Sequence, residues 1–237
     1  MALPRLNESA QYTMKIPSTG EEIKYRPFLV KEQKILLMAQ ESQDSMQIMN
    51  ALLTCIENCT QGINVFNLAT FDADYMFTQI RSKSVGESAT LSATCSSCGE
   101  QNNIKIDMDK IKIDVDSKLK NVVELTPSVS VKMKYPTYND FIQAGVLSES
   151  NSVTEALLNT IIACMESIMT PEDNILIRDE AKEEVEEFLN SLTTEQFDKI
   201  SEFVKSIPKM YQKKEYTCSN CGTKNKLELE GLNDFFM

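Results

Sequence analysis

Two short cysteine motifs place the tightest constraint on how this chain can fold. Each has the form Cys-x-x-Cys-Gly; the first contains Cys95 and Cys98, and the second contains Cys218 and Cys221. Such a turn, or knuckle, places two thiolates on one side of a tight loop, and its glycine allows the backbone to turn back. Structural zinc usually takes four ligands, so the simplest arrangement is one zinc ion per chain, bound by all four cysteines. The sequence therefore predicts that two segments 123 residues apart meet in space.

Other interpretations of the knuckles are open. The cysteines can be small apolar core residues, although polar residues fill both loops, namely Ser96, Ser97, Ser219 and Asn220. A redox pair normally lies at a helix N-terminus, where the helix dipole lowers the thiol pKa, whereas strand patterns follow both knuckles. Two zinc ions per chain would mean that each knuckle finds further ligands elsewhere or on another subunit. Zinc shared by the two knuckles is the leading hypothesis.

Three elements recur in the same order in the two halves of the chain. A hairpin segment ending at Tyr25 recurs as one ending at Tyr135. An apolar stripe at helical spacing recurs 109 residues later; its members are Met49, Leu52, Leu53 and Ile56, then Leu158, Ile161, Ile162 and Met165. The knuckles are the third match, and their larger offset reflects an acidic insertion at about 170–187. The sequence therefore predicts an internal duplication, with repeats at 1–115 and 116–237.

The predicted fold class is α+β. Each repeat is expected to contain a β-hairpin, two to three helices and a strand–knuckle–strand unit, with knuckles at 95–98 and 218–221. The last helix of each repeat should end near Gly86 and near Pro208, and Thr193 with Gln196 fits a capping box. A pseudo-two-fold axis between the repeats would bring equivalent knuckles together in a shared four-cysteine zinc site.

Two further cysteines, Cys55 and Cys59, lie four residues apart on a predicted helix and could form a second two-ligand site. Their equivalents in the second repeat are Cys164 and Ile168, which lie on the same predicted apolar face. Core packing is therefore the better interpretation of this pair.

Composition excludes several classes of function. The chain has no histidine, which excludes Ser-His-Asp and Cys-His nucleophiles and the His-rich zinc sites of hydrolases. The net charge of −11 disfavours nucleic acid as a partner. No apolar run reaches the roughly 20 residues that span a bilayer, and no secretory signal is visible, so the expected compartment is the cytoplasm, without a membrane partner. Seven cysteines in such a chain indicate reduced thiols and metal ligation. We predict no catalytic residues and no cofactor besides structural zinc.

One segment resembles a known family. Residues 16–42 read IPSTGEEIKYRPFLVKEQKILLMAQES. This stretch is similar to the opening of the baseplate proteins of T4-like contractile-tailed bacteriophages, and within that group to hub subunits and hub-assembly proteins. The resemblance implies a non-enzymatic late protein of virus tail assembly, made in the host cytoplasm, whose partners are other baseplate or tail hub proteins. It leaves open whether the protein stays in the virion and whether it forms an oligomer there. The zinc assignment rests on the cysteines alone.

The alternative function is that of a zinc-ribbon regulatory protein that binds nucleic acid or a polymerase, because knuckles of this kind are common in such proteins. A small basic cluster near the second knuckle supports it; the cluster consists of Lys213, Lys214, Lys224 and Lys226. The acidity of the whole chain opposes it.

Overall fold

The computed structural model of the protein describes residues 10–113, 115, 120–146 and 152–231. Its strands are β1 Tyr12–Lys15, β2 Glu22–Tyr25, β3 Ser88–Thr94, β4 Gln101–Asp107, β5 Lys112–Ile113, β6 Val122–Thr126, β7 Val129–Met133, β8 Met165–Met169, β9 Asn174–Leu176, β10 Met210–Thr217 and β11 Lys224–Glu230. Its α-helices are α1 Val30–Ser42, α2 Ser45–Cys59, α3 Thr70–Val85, α4 Tyr138–Ala144, α5 Val153–Cys164, α6 Lys182–Asn190 and α7 Thr194–Lys205. The fold is mixed α+β, as predicted.

The chain divides into two compact units. The first contains the described residues of Met1–Val65, Phe71–Asp114 and Lys209–Met237, and the second contains those of Phe66–Thr70 and Val115–Pro208. The chain thus leaves the first unit and later returns to it. Strand β10 pairs with β11 on one side and with the short β5 on the other, so the points of exit and return are adjacent.

In the first unit, two antiparallel hairpins carry the knuckles. Strands β3 and β4 form one hairpin, and β10 and β11 form the other. Their apolar side chains share one buried cluster, which includes Ile106, Met108, Met210 and Leu229. The Thr78 hydroxyl of α3 lies 3.4 Å from the sulfur of Met210. The two knuckle hairpins therefore share one apolar core.

The second unit is a four-stranded antiparallel sheet in the order β6-β7-β8-β9, packed with helices. Its core includes Val131 and Met133 of the sheet and Ile161 and Ile200 of the helices, all of them inaccessible to solvent. Helix α7 begins with the predicted capping box, in which the Thr193 side chain caps the Gln196 amide and the Gln196 side chain accepts from the Thr193 amide. No helix among the described residues is long and apolar enough to cross a bilayer.

The order of elements is similar in the two halves, although the duplication itself stays a prediction. Each half begins with a hairpin, continues with two helices, and ends with another helix followed by a knuckle hairpin. The prediction was wrong at the end of the second apolar stripe. Helix α5 ends at Cys164, so Met165 and Ile168 belong to strand β8. The insertion at 170–187 contains β9 and most of α6, whose Val185 and Leu189 are buried.

A buried ion pair fixes the entry to α1. The Glu32 side chain is fully buried and accepts a hydrogen bond of 2.9 Å from the Arg26 guanidinium and one of 2.8 Å from the Leu29 amide. Arg26 also donates to the carbonyl of Asn58 at the end of α2. Burial alone would raise the pKa of Glu32, but its bonds to Arg26 and the Leu29 amide outweigh burial and lower it.

Replacing Glu32 with glutamine (E32Q) should lower the free energy of unfolding by about 1–3 kcal/mol at neutral pH, since charged hydrogen bonds are replaced by neutral ones. A carboxylate with a lowered pKa stabilises the folded state above its unfolded pKa of about 4.3, and this stabilisation is lost as the pH falls through the folded value. Urea unfolding at pH 7 and at lower pH should therefore show a difference between the wild type and E32Q that shrinks on acidification. A difference that stays constant with pH would contradict this role.

Candidate metal centre

Both knuckles have the same backbone geometry. In the first, the Gly99 amide donates to the Cys95 carbonyl over 3.0 Å, and in the second the Gly222 amide donates to the Cys218 carbonyl over the same distance. The φ angles of Gly99 and Gly222 are 74° and 72°, in the left-handed region that favours glycine. The glycine of each motif is thus required by the turn, as the sequence indicated.

The two knuckles meet, and their four sulfurs form one cluster. The ligand atoms of Cys95, Cys98, Cys218 and Cys221 all lie within 4.8 Å of one another. The Cys95 and Cys221 sulfurs are 3.7 Å apart, and so are those of Cys98 and Cys218. With Zn–S bonds of about 2.3 Å, two sulfurs of a tetrahedral site lie about 3.8 Å apart. The described cysteines therefore fit a tetrahedral metal ion with little movement.

An asparagine from the first hairpin reaches the second knuckle. The Asn102 side-chain oxygen accepts hydrogen bonds from the Ser219 amide (2.8 Å) and the Ser219 hydroxyl (3.0 Å). A backbone amide can only donate, so the oxygen must face Ser219 and the NH2 group must face away from it. That NH2 group lies 3.6 Å from the Cys218 sulfur, to which it donates. Asn102 is itself buried.

The equivalent asparagine of the second hairpin makes the reciprocal contacts. The Asn225 side-chain oxygen accepts from the Ser96 amide (3.0 Å) and hydroxyl (2.9 Å), and its NH2 group donates to the Cys95 sulfur over 3.4 Å. Each asparagine follows the second cysteine of its own knuckle by four residues but binds the other knuckle. We call Asn102 and Asn225 the crossed asparagines. They hold both loops in place and orient one sulfur of each.

The comparisons with known proteins identify the family. A model of the family described as T4 bacteriophage base plate protein matches residues 9–237. The chain belongs to this family. The match extends the resemblance of residues 16–42 to almost the whole length of the chain. No curated protein and no solved structure matches it.

The thiols of the cluster in this baseplate protein differ in exposure, and the pKa values of Cys95, Cys98 and Cys218 are shifted in different directions. Cys95 and Cys218 are buried, whereas Cys98 and Cys221 are exposed. Hydrogen bonds from the Cys98 and Ser97 amides, helped by Asn225, lower the pKa of Cys95 to about 6. The Cys221 amide likewise lowers the pKa of Cys218. The Glu100 amide lowers the pKa of Cys98, but the neighbouring sulfurs of Cys221, Cys218 and Cys95 outweigh it and raise that pKa to about 11. The two buried thiols of the cluster thus have lowered pKa values, whereas the pKa of the exposed Cys98 is raised.

The remaining cysteines lie elsewhere in the baseplate protein. Cys55, Cys59 and Cys164 are all buried among core residues, as expected for the pair in α2. Burial raises the pKa of Cys164 to about 12, so its thiol stays protonated at neutral pH. Within the described residues, the metal-binding arrangement of cysteines is confined to the two knuckles.

The crossed asparagines are the functional residues that the sequence reasoning missed. Asn102 and Asn225 occupy equivalent positions, four residues after the second cysteine of each knuckle, but this equivalence does not by itself indicate a role. A signal was available, because both are polar residues at alternate positions of an otherwise apolar strand face that includes Ile104 and Ile106, or Leu227 and Leu229. A polar residue on such a face needs a partner, and here the partner is the opposite knuckle.

Proposed function

We propose that this chain is a structural or assembly component of the baseplate hub of a contractile-tailed bacteriophage, and that it acts by protein–protein interaction. The match of the baseplate family over residues 9–237 carries this proposal. The hub assignment draws further support from residues 16–42, which are similar to hub subunits and hub-assembly proteins. The proposed partners are other baseplate and tail hub proteins, and the proposed place of action is the host cytoplasm during tail assembly, with retention in the virion tail. Family membership favours this role over catalysis.

The proposed cofactor is one structural zinc ion bound by Cys95, Cys98, Cys218 and Cys221. Four soft thiolate ligands in a tetrahedral arrangement suit zinc among the divalent metals. The two 3.7 Å separations between sulfurs of different knuckles support a single shared ion rather than one ion per knuckle. Zinc would supply no reaction here; it would cross-link two hairpins that are far apart in sequence.

The position of this cross-link explains what it would stabilise. The first knuckle precedes the exit of the chain from the first compact unit, and the second follows its return. Joining the two knuckles closes a loop of more than a hundred residues, and loop closure of this length removes much conformational entropy from the unfolded chain. The ion would therefore hold together the two parts of the first unit that the intervening chain separates in sequence.

Depleting the protein from an infection tests the proposed function. A phage with an amber codon early in this gene should produce few complete tails in a non-suppressing host, and electron microscopy of the lysate should show tail parts without finished baseplates. Wild-type protein supplied from a plasmid should restore tails. Mass spectrometry of purified particles then reports whether the protein is retained in the virion. Normal yields of complete, infectious tails without the protein would overturn the proposal.

The alternative of a nucleic-acid-binding zinc ribbon is disfavoured by the charge of the second knuckle hairpin. Lys213 lies 3.1 Å from Glu228, and Lys226 lies 3.9 Å from Glu215, in both cases across the β10–β11 pair. These exposed pairs contribute little to stability, but they offset the charge of two of the four lysines in the cluster. The positive charge that a phosphate backbone would need is therefore reduced at this hairpin.

A further inference from the structure

Several large apolar side chains of α1 are exposed, whereas a surface helix normally turns mainly polar side chains to the solvent. Only Glu32 and Ala39 are buried in this helix. Val30, Leu37 and Met38 are 80%, 52% and 60% exposed, respectively. The neighbouring helix α2, by contrast, buries seven residues, including most of its large apolar side chains. Helix α1 therefore presents large apolar side chains that need a partner.

One charged residue lies at each end of the exposed apolar pair Leu37 and Met38, and the two charges have opposite signs. Lys34 and Glu41 each lie three or four residues from both Leu37 and Met38, so the four residues share one face of the helix, which we call the stripe. The cation lies toward the N-terminus of the helix and the anion toward its C-terminus, and both are exposed. Glu41 lies in the last turn of the helix, where the helix dipole disfavours an anion. The position of Glu41 therefore does not stabilise the helix by itself.

The stripe is complementary to itself when a second copy runs in the opposite direction. In an antiparallel pair centred between positions 37 and 38, Lys34 of each copy faces Glu41 of the other, and Leu37 faces Met38. The helix ends at Ser42, so these two kinds of contact, each made twice, are the ones that the register brings together. A contact of this kind is isologous, as two-fold symmetry requires. The two helix dipoles also oppose each other in this arrangement, which is favourable.

We propose that the exposed stripe of α1, defined by Lys34, Leu37, Met38 and Glu41, docks against the same stripe of a second copy of this chain. A helix of thirteen residues is about 20 Å long, and a pair of this length buries less than the roughly 1,200 Å² of a standard stable interface. The dimer is therefore weak in solution, and the high local concentration within an assembly strengthens it.

Charge reversal at the two ends of the stripe tests this pairing. Sedimentation velocity of the purified full-length protein over a range of concentrations should show a monomer–dimer equilibrium for the wild type. The single variants K34E and E41K should each raise the dissociation constant of the dimer at least about tenfold, since each places two like-charged contacts in the dimer. The double variant K34E/E41K should dimerise again, because every contact regains opposite charges. An equimolar mixture of the two single variants should form the heterodimer.

The restoration experiments separate this pairing from a general effect of charge. The control variant K199E changes the net charge as K34E does, but on the exposed surface of α7, and it should leave the equilibrium unchanged. Circular dichroism confirms that each variant folds. A wild type that stays monomeric at all concentrations would overturn the proposal and assign the stripe to a partner of different sequence. Failure of both the double variant and the mixture to dimerise would overturn the antiparallel register.

Discussion

Replacing Cys98 with serine (C98S) is expected to abolish stoichiometric zinc binding and to lower the Tm by roughly 10 °C or more. Serine has the size of cysteine but not its thiolate, so the metal keeps three ligands and one open position. Structural zinc contributes about 10–16 kcal/mol in small zinc-finger peptides. The first unit has its own apolar core, so a smaller loss of about 4 kcal/mol is expected, and each kcal/mol corresponds to about 2–4 °C in a chain of this size. Because Cys98 is exposed, the substitution itself disturbs little packing.

Elemental analysis and thermal unfolding together check this expectation. Wild-type protein should contain one zinc ion per chain, and a strong chelator should lower its Tm to that of C98S, while C98S itself should not respond to the chelator. The matched control is C164A, which removes a buried cysteine of the second unit and should keep the full zinc content. A C98S protein with one zinc ion and a wild-type Tm would overturn the four-cysteine site. Two zinc ions in the wild type would overturn the shared ion.

The sequence predicted the local structure around the site but not the division of the chain into units. Three local features follow from residue types and their spacing, whose effects reach only over a few residues. They are the strands on both sides of each knuckle, the positive φ angles of the knuckle glycines and the end of α3 near Gly86. The return of the chain at Lys209 to pair with the strand that precedes its exit depends on contacts between distant segments. The four-cysteine hypothesis predicted that the two knuckles meet, but the spacing of the repeats does not show that β10 also pairs with β5 or that the chain between them forms a second unit.

One wrong prediction and one omission have physical explanations. The apolar run through Cys164 and Met165 suits a buried helix and a buried strand equally, so periodicity could not locate the point where α5 becomes β8. The crossed contacts of Asn102 and Asn225 exist only because two loops approach each other face to face. A sequence alignment of the repeats identifies such residues as equivalent but cannot show that each one binds the other loop.

Substituting both crossed asparagines (N102A/N225A) is expected to weaken zinc binding by about 10²- to 10⁴-fold, since loss of one outer-shell partner of a metal site typically costs 10–100-fold. Each alanine removes an N–H···S bond and leaves the Ser219 or Ser96 amide without its acceptor. The reciprocal geometry predicts that N102A and N225A have single effects of similar size. Competition with a chromophoric chelator measures the affinity.

The matched control for this pair is N103A, because Asn103 is the exposed neighbour of Asn102 on the same strand. N103A removes a side-chain amide group of the same kind from the opposite face of β4. It should therefore leave the zinc affinity unchanged. If N103A weakened binding as much as N102A, the effect would arise from the strand and not from the contact with Cys218. If N102A weakened binding and N225A did not, the crossed asparagines would not act as equivalent halves of one site. If N102A and N225A lost similar amounts of zinc affinity, and the double variant lost about the product of the two factors, each hairpin would be shown to position the thiolates of the other.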